Sequence, residues 1–167
     1  MKSILFRYSF AILLALSYKL FYIVLSPLTI FTTFSLLSIF TPVTLNENML
    51  TLQSASFIII PACIAASAYL FLAILILLTR NISFRKGLEL FLMGSGLIFL
   101  FNVIRILLLI FVYVKLGENY FQAIHLTFWY VLSTIVVVLI WIFLTKKYKI
   151  KEVPVYSDLK SLVSMYK

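Results

Sequence analysis

Long apolar blocks separated by short polar segments dominate this chain, and their lengths set the expected fold. The first block, residues 4–40, is interrupted by charge only at Arg7 and Lys19; further blocks cover residues 57–79, 88–112 and 121–145. Several exceed the roughly 18 apolar residues that mark a membrane-spanning helix. Backbone groups in lipid must be paired within the protein, and runs this long favour helices; a barrel would show short alternating segments instead. The pattern predicts an all-α, polytopic membrane helix bundle of about four transmembrane helices, with an N-terminal interfacial or re-entrant helix.

The first block is too long for one span and short for two. It reads as an interfacial helix over residues 3–18 and a span over 20–40, with Lys19 at the inner boundary beside the aromatics Phe21 and Tyr22. The alternative is a span at 4–26 followed by a short or re-entrant pass. Pro27 is expected to kink the span that contains it. Residues 41–56 are polar, with Pro42 and Asn46-Glu47-Asn48 but no lysine or arginine, and read as an outer loop. Residues 80–87 read as an inner loop, and 113–120, containing Gly117, Glu118 and Asn119, as an outer turn. The domain organisation expected is a single transmembrane domain over 1–145, with its motif-bearing core at 57–145, and a basic cytoplasmic tail over 146–167. Internal repeats and low-complexity tracts are absent from the sequence.

Charge refines the topology. The formal net charge of +9 would suit nucleic acid, but its distribution does not. Lys2, Arg7 and Lys19 flank the first block, Arg80, Arg85 and Lys86 share one loop, and Lys146, Lys147, Lys149 and Lys151 follow the last block. With spans alternating in direction all of these fall on one side, and Lys115 alone lies opposite. That is the positive-inside pattern, reinforced by attraction to anionic lipid. It predicts a multi-pass protein of the cell (plasma) membrane with both termini cytoplasmic, and leaves no separate basic domain for nucleic acid. The composition, 64% hydrophobic and 11% charged, is too apolar for a soluble domain of this size. The N-terminus lacks a small-residue cleavage site before Lys19 and is expected to be retained.

Candidate chemistry comes from three residues in three blocks. Cys63 is the only cysteine, His125 the only histidine, and Arg105 the one cation deep inside an apolar run. At about 1.5 Å per helical residue they lie roughly 9, 6 and 10 Å below the outer boundary, in one layer. A lone membrane cysteine is usually a small hydrophobe, and a lone boundary histidine is usually amphipathic. Arg105 is different: a charge at that depth costs about 2.5–3.5 kcal/mol even on a lenient scale, and no carboxylate shares its depth. It suits an anionic ligand or developing negative charge better than an internal salt bridge. Asn102 and Ser95 share its helix face, and Gly94 and Gly96 border that face and allow close helix approach. Ser67 follows Cys63 by four residues on one face, Trp129 follows His125 in the same way, and Pro61 is expected to loosen the backbone near the thiol.

A histidine can take the thiol proton, and a guanidinium can favour the thiolate or an oxyanion. Cys63, His125 and Arg105 are therefore a chemically sufficient set for cleaving a peptide bond through a thioester. One cysteine and one histidine cannot build a metal site, HExxH, GxSxG and paired aspartates are missing, and no cofactor is expected. Two other readings stay open on the residues alone: a small transporter subunit in which Arg105 attracts an anion, and a non-catalytic membrane scaffold. The stripes of tyrosine, phenylalanine and leucine read as core or lipid-facing surface.

The blocks Pro61-Ala62-Cys63, Asn102-Val103-Ile104-Arg105-Ile106 and His125, in that order on successive helices, resemble the exosortase/archaeosortase family. The run PACIAASAY looks most like the small archaeal pacearchaeosortases. The likeness covers residues 57–145. Many relatives carry a Ser-Gly pair after the cysteine, where this chain has Ile64-Ala65. The resemblance implies that Cys63 is the nucleophile, His125 the general base and acid, and Arg105 the transition-state stabiliser. It implies as partners exported surface proteins whose C-terminus carries a short motif, a hydrophobic helix and a basic end. The acyl group would pass to a lipid acceptor, making a transpeptidase.

Overall fold

Ser17 divides the first apolar block into two helices. The computed structural model describes residues 2–52, 55–127 and 133–165. Helix α1 (Lys2–Leu16) ends one residue before α2 (Tyr18–Phe40), which continues through Pro27. The break thus falls two residues earlier than Lys19. Helix α1 packs against α4 (Ala66–Leu78), and its Arg7 pairs with Asp158 of α8 (Tyr156–Met165). The polar tail therefore folds back onto the start of the chain.

The outer-loop expectation for residues 41–56 is corrected. This segment forms a three-stranded antiparallel sheet of β1 (Val43–Asn46), β2 (Met49–Leu52) and β3 (Ala55–Ile58), in the order β1-β2-β3. The cause is a period-two alternation hidden among polar residues: Leu50 and Leu52 turn into the core while Met49 and Thr51 stay partly exposed. The two-residue turn Glu47-Asn48 closes the first hairpin, with Glu47 at a positive φ of 55°, as tight hairpin turns require. The chain is thus predominantly helical, consistent with an all-α membrane protein, and carries one small three-stranded sheet.

The sheet also shortens the second helical block. The chain is still extended at Ile58, and Pro61 opens the four-residue helix α3 (Pro61–Ile64) as its first helical residue, where a missing N–H costs nothing. Ala65 then adopts the left-handed conformation, φ 56° and ψ 27°, and α4 starts afresh. The third block is a single helix, α5 (Phe84–Leu116), capped by the Ser83 side chain and ended at Gly117, φ 87°. The turn expected over 113–120 contracts to that glycine, since α6 (Glu118–Thr127) follows at once. Helix α7 (Ser133–Lys147) completes the bundle. Helices α2 and α5 are long and apolar enough to cross a membrane, and Ile4–Leu16 and Ala66–Leu78 are shorter apolar helices.

Two apolar clusters hold the bundle together. One, around Tyr69, Leu72, Ile98, Trp141 and Leu144, joins α4, α5 and α7. The other, around Leu50, Ile59, Ile64, Ile106 and Ile110, seats the sheet and α3 on α5. Gly94 lets these helices approach: a Cβ there would sit 2.5 Å from Leu72 Cδ2 and 3.0 Å from Leu144 Cδ1, both on fully buried side chains. Gly96 has no such role, with nothing within 4 Å of its would-be Cβ.

Candidate active site around Cys63, Arg105 and His125

The left-handed break at Ala65 is the local event that builds this site. Terminating a helix leaves the carbonyls of its last turn without intrahelical partners. In α3 those carbonyls are captured from α5. Asn102 Nδ2 donates to the Cys63 carbonyl at 2.8 Å. Arg105 Nη2 donates to the Ala62 carbonyl at 3.3 Å and the Cys63 carbonyl at 3.5 Å. The N-x-x-R spacing places both donors on one face of α5, one turn apart, and that face meets the broken helix. The Cys63 N–H is satisfied in turn by the Ile60 carbonyl at 2.8 Å.

These bonds revise two expectations. Pro61 starts a helix instead of loosening one, and the opened backbone lies after Cys63 rather than before it. Arg105 is held by backbone carbonyls of the cysteine's own turn, so its guanidinium is positioned at the thiol-bearing residue without any ligand. Ser67 does not share a continuous helix face with Cys63, because Ala65 lies between them, and its side chain is exposed.

His125 joins the same group from α6. Arg105 lies within electrostatic range of both Cys63 and His125. The imidazole packs against Phe121 in a tilted arrangement with ring centroids 5.4 Å apart; Phe121 meets Tyr113 at 5.6 Å, and Tyr113 meets Phe57 of β3 at 4.9 Å. A continuous row of aromatic contacts thus joins β3 to the histidine. Sequence reasoning missed Phe57, Tyr113 and Phe121, having read such aromatics as core or lipid surface. The signal lay in their positions, each at the mouth of an apolar block near Cys63 or His125. Trp129, expected beside the imidazole, lies outside the described residues. Ser95, expected on the Asn102 face, has a buried hydroxyl without a hydrogen-bond partner among the described residues. A cavity of about 990 Å³ opens near the α4–α5 connection, lined by Arg7, Phe21, Arg80 and Phe84. It is at the far end of α5 from Arg105, and none of Cys63, Arg105 and His125 lines it. Among the described residues no cluster of histidine, cysteine and carboxylates could hold a metal ion.

The family model for transmembrane exosortases (Exosortase_EpsH) matches residues 1–142. The chain belongs to the transmembrane exosortase family, and membership points to a membrane-embedded sorting transpeptidase. No curated protein and no solved structure matches it. The match takes in the first two helices as well, beyond the segment over which motifs were readable.

Ala65 is the left-handed residue, where glycine is strain-free and an L-residue costs roughly 1–2 kcal/mol. Ala65→Gly is expected to raise the thermal stability of the detergent-solubilised protein, by up to about 1 kcal/mol, while Cys63 keeps its reactivity toward iodoacetamide. An unchanged or lower melting temperature would contradict the assigned conformation.

Proposed function

We propose that this protein is a membrane-embedded cysteine transpeptidase that cleaves the C-terminal sorting signals of exported proteins. The observation that carries the reading is the capture of the Cys63 turn by Asn102 and Arg105, with His125 on α6 within electrostatic range of the same guanidinium. Family membership supports it independently.

In this reading Cys63 Sγ attacks the scissile carbonyl while His125 accepts the thiol proton. Arg105 stabilises the resulting oxyanion, whose charge appears only as the tetrahedral intermediate forms. Collapse expels the leaving amine, protonated by His125, and leaves a Cys63 thioester. A lipid head-group nucleophile, deprotonated by His125, then takes the acyl group and regenerates the thiol; water in its place would give hydrolysis. The site lies near the extracytoplasmic face and both termini are cytoplasmic, in line with the positive clusters at Arg80–Lys86 and Lys146–Lys151. The substrate carries a short motif, a hydrophobic helix and a basic end, and the run PACIAASAY supports a likeness to the small archaeal pacearchaeosortases.

Intact-mass analysis of the purified enzyme incubated with a tagged candidate substrate tests this. An adduct on Cys63 of the mass of the N-terminal fragment, removed by hydroxylamine, is the expected result. A cleaved substrate with no adduct in any time window, and cleavage surviving thiol alkylation, would reject the thioester route.

A further inference from the structure

Strand β3 runs directly into the Cys63 turn, and its backbone polarity can be assigned. The Ile59 N–H donates to the Asn48 carbonyl at 2.9 Å, and the register pairs Phe57 with Leu50 and Ala55 with Leu52. Along an antiparallel strand each residue's N–H and C=O point to the same edge, and the edges alternate. Residues 55, 57 and 59 therefore turn their backbone groups toward β2, and Ser56 and Ile58 turn theirs to the opposite edge. The strand order leaves that edge without a neighbouring strand among the described residues, whereas β1 lies against α2. Ser56 is exposed and Ile58 is 60% exposed. Natural proteins normally cover or blunt such an edge, because it is a template for pairing with another chain.

What pairs there must reach Cys63. Ile59 and Ile60 separate β3 from the Pro61-Ala62-Cys63 turn, and the aromatic row from Phe57 through Tyr113 and Phe121 to His125 borders the same approach. We propose that the free edge of β3 is the substrate-docking strand: the extended peptide preceding the scissile bond pairs with Ser56 and Ile58 and is led over Cys63. This rests on the transpeptidase reading above. Tyr113, beneath β3, lies two helical turns beyond Arg105 on α5, so the sheet stands at the outermost end of the site. A substrate that enters from that end, with its hydrophobic segment following the cut, runs in the same sense as β3 and pairs parallel to it. Main-chain hydrogen bonds then supply affinity, and the aromatic row contacts alternate side chains, as in strand addition generally. Recognition of this kind tolerates varied residues in the segment before the cut.

The test exploits the alternation. Proline at Ile58 removes an N–H that β2 does not use, so the sheet stays intact while a substrate donor is lost. With a tagged reporter ending in a C-terminal sorting signal from the same genome, Ile58→Pro is expected to slow processing about tenfold, one hydrogen bond's worth. Ile58→Ala keeps that N–H and is expected to process the reporter faster than Ile58→Pro, and both variants are expected to be alkylated at Cys63 by iodoacetamide as the wild type is. Processing by Ile58→Pro at the wild-type rate would overturn the proposal. A second measurement does not need turnover: Ser56→Cys in a Cys63→Ala background, oxidised with reporters carrying single cysteines along the segment before the cut. Crosslinks at every second position are expected; crosslinks without that period, or none, would overturn docking on β3. Wild-type processing by Cys63→Ala would instead remove the transpeptidase reading and leave the crosslinking result standing on its own.

Discussion

Cys63→Ala is expected to abolish processing of a tagged exported reporter while the protein still inserts and folds. The loss expected is on the order of 10⁴-fold or more, the scale seen when a covalent nucleophile is removed. Folding survives because Cys63 contributes to the structure through its backbone. Its N–H bonds the Ile60 carbonyl, its carbonyl accepts from Asn102, and alanine keeps both. The side chain is only partly buried, so truncation removes little packing. Conversion of the reporter, followed by gel shift and mass, is the measurement, with thermal unfolding in detergent as the control. Normal conversion by the alanine variant would reject the enzyme reading, and a loss of melting temperature would assign the effect to structure.

Arg105→Ala carries the second large expectation, a fall in turnover of about 100- to 1,000-fold, as for loss of one oxyanion donor. On the proposed oxyanion role the loss is expected in kcat rather than KM, because that charge exists only in the transition state. Arg105→Lys keeps the charge but loses the planar fork that spans the Ala62 and Cys63 carbonyls. It is therefore expected to recover only part of the activity. Steady-state kinetics on the reporter in proteoliposomes separates the two constants. An Arg105→Ala enzyme with wild-type kcat and a raised KM would make Arg105 a binding residue instead.

The helical blocks were legible because lipid demands runs of a fixed length and charge marks their ends. Residues 3–18 and 20–40 agree with α1 and α2 to within two residues, and Ser83 and Gly117 close the long helix α5. The sheet was not legible by the same criterion. Residues 43–58 mix threonine, asparagine and serine with leucine, and mean polarity masked the alternation that buries Leu50 and Leu52. The second block misled for a related reason: Phe57 and Ile58 are apolar, yet they belong to a strand, and hydropathy does not distinguish an apolar strand from the start of a helix.

The three chemical residues stood out in the sequence because the cysteine and the histidine each occur once and Arg105 is a charge rarely placed in lipid without a task. The expectation that they share one layer came from counting helical residues from block ends, although the chain up to Ile58 is a strand rather than a helix. What counting could not reach was the αL turn at Ala65, because alanine carries no sign of a positive φ. Without that break the Ala62 and Cys63 carbonyls would be spent inside a continuous helix, and Asn102 and Arg105 would have nothing there to hold. The sequence by itself determined a membrane helix bundle, its family motifs and the identity of the candidate thiol, imidazole and guanidinium, since hydropathy, charge and residue type are local properties. The tertiary structure alone decided that the thiol's own backbone is gripped from α5 and that an aromatic row leads from β3 to His125. Each of these is a contact between segments far apart in the chain, and such contacts depend on packing rather than on any local pattern.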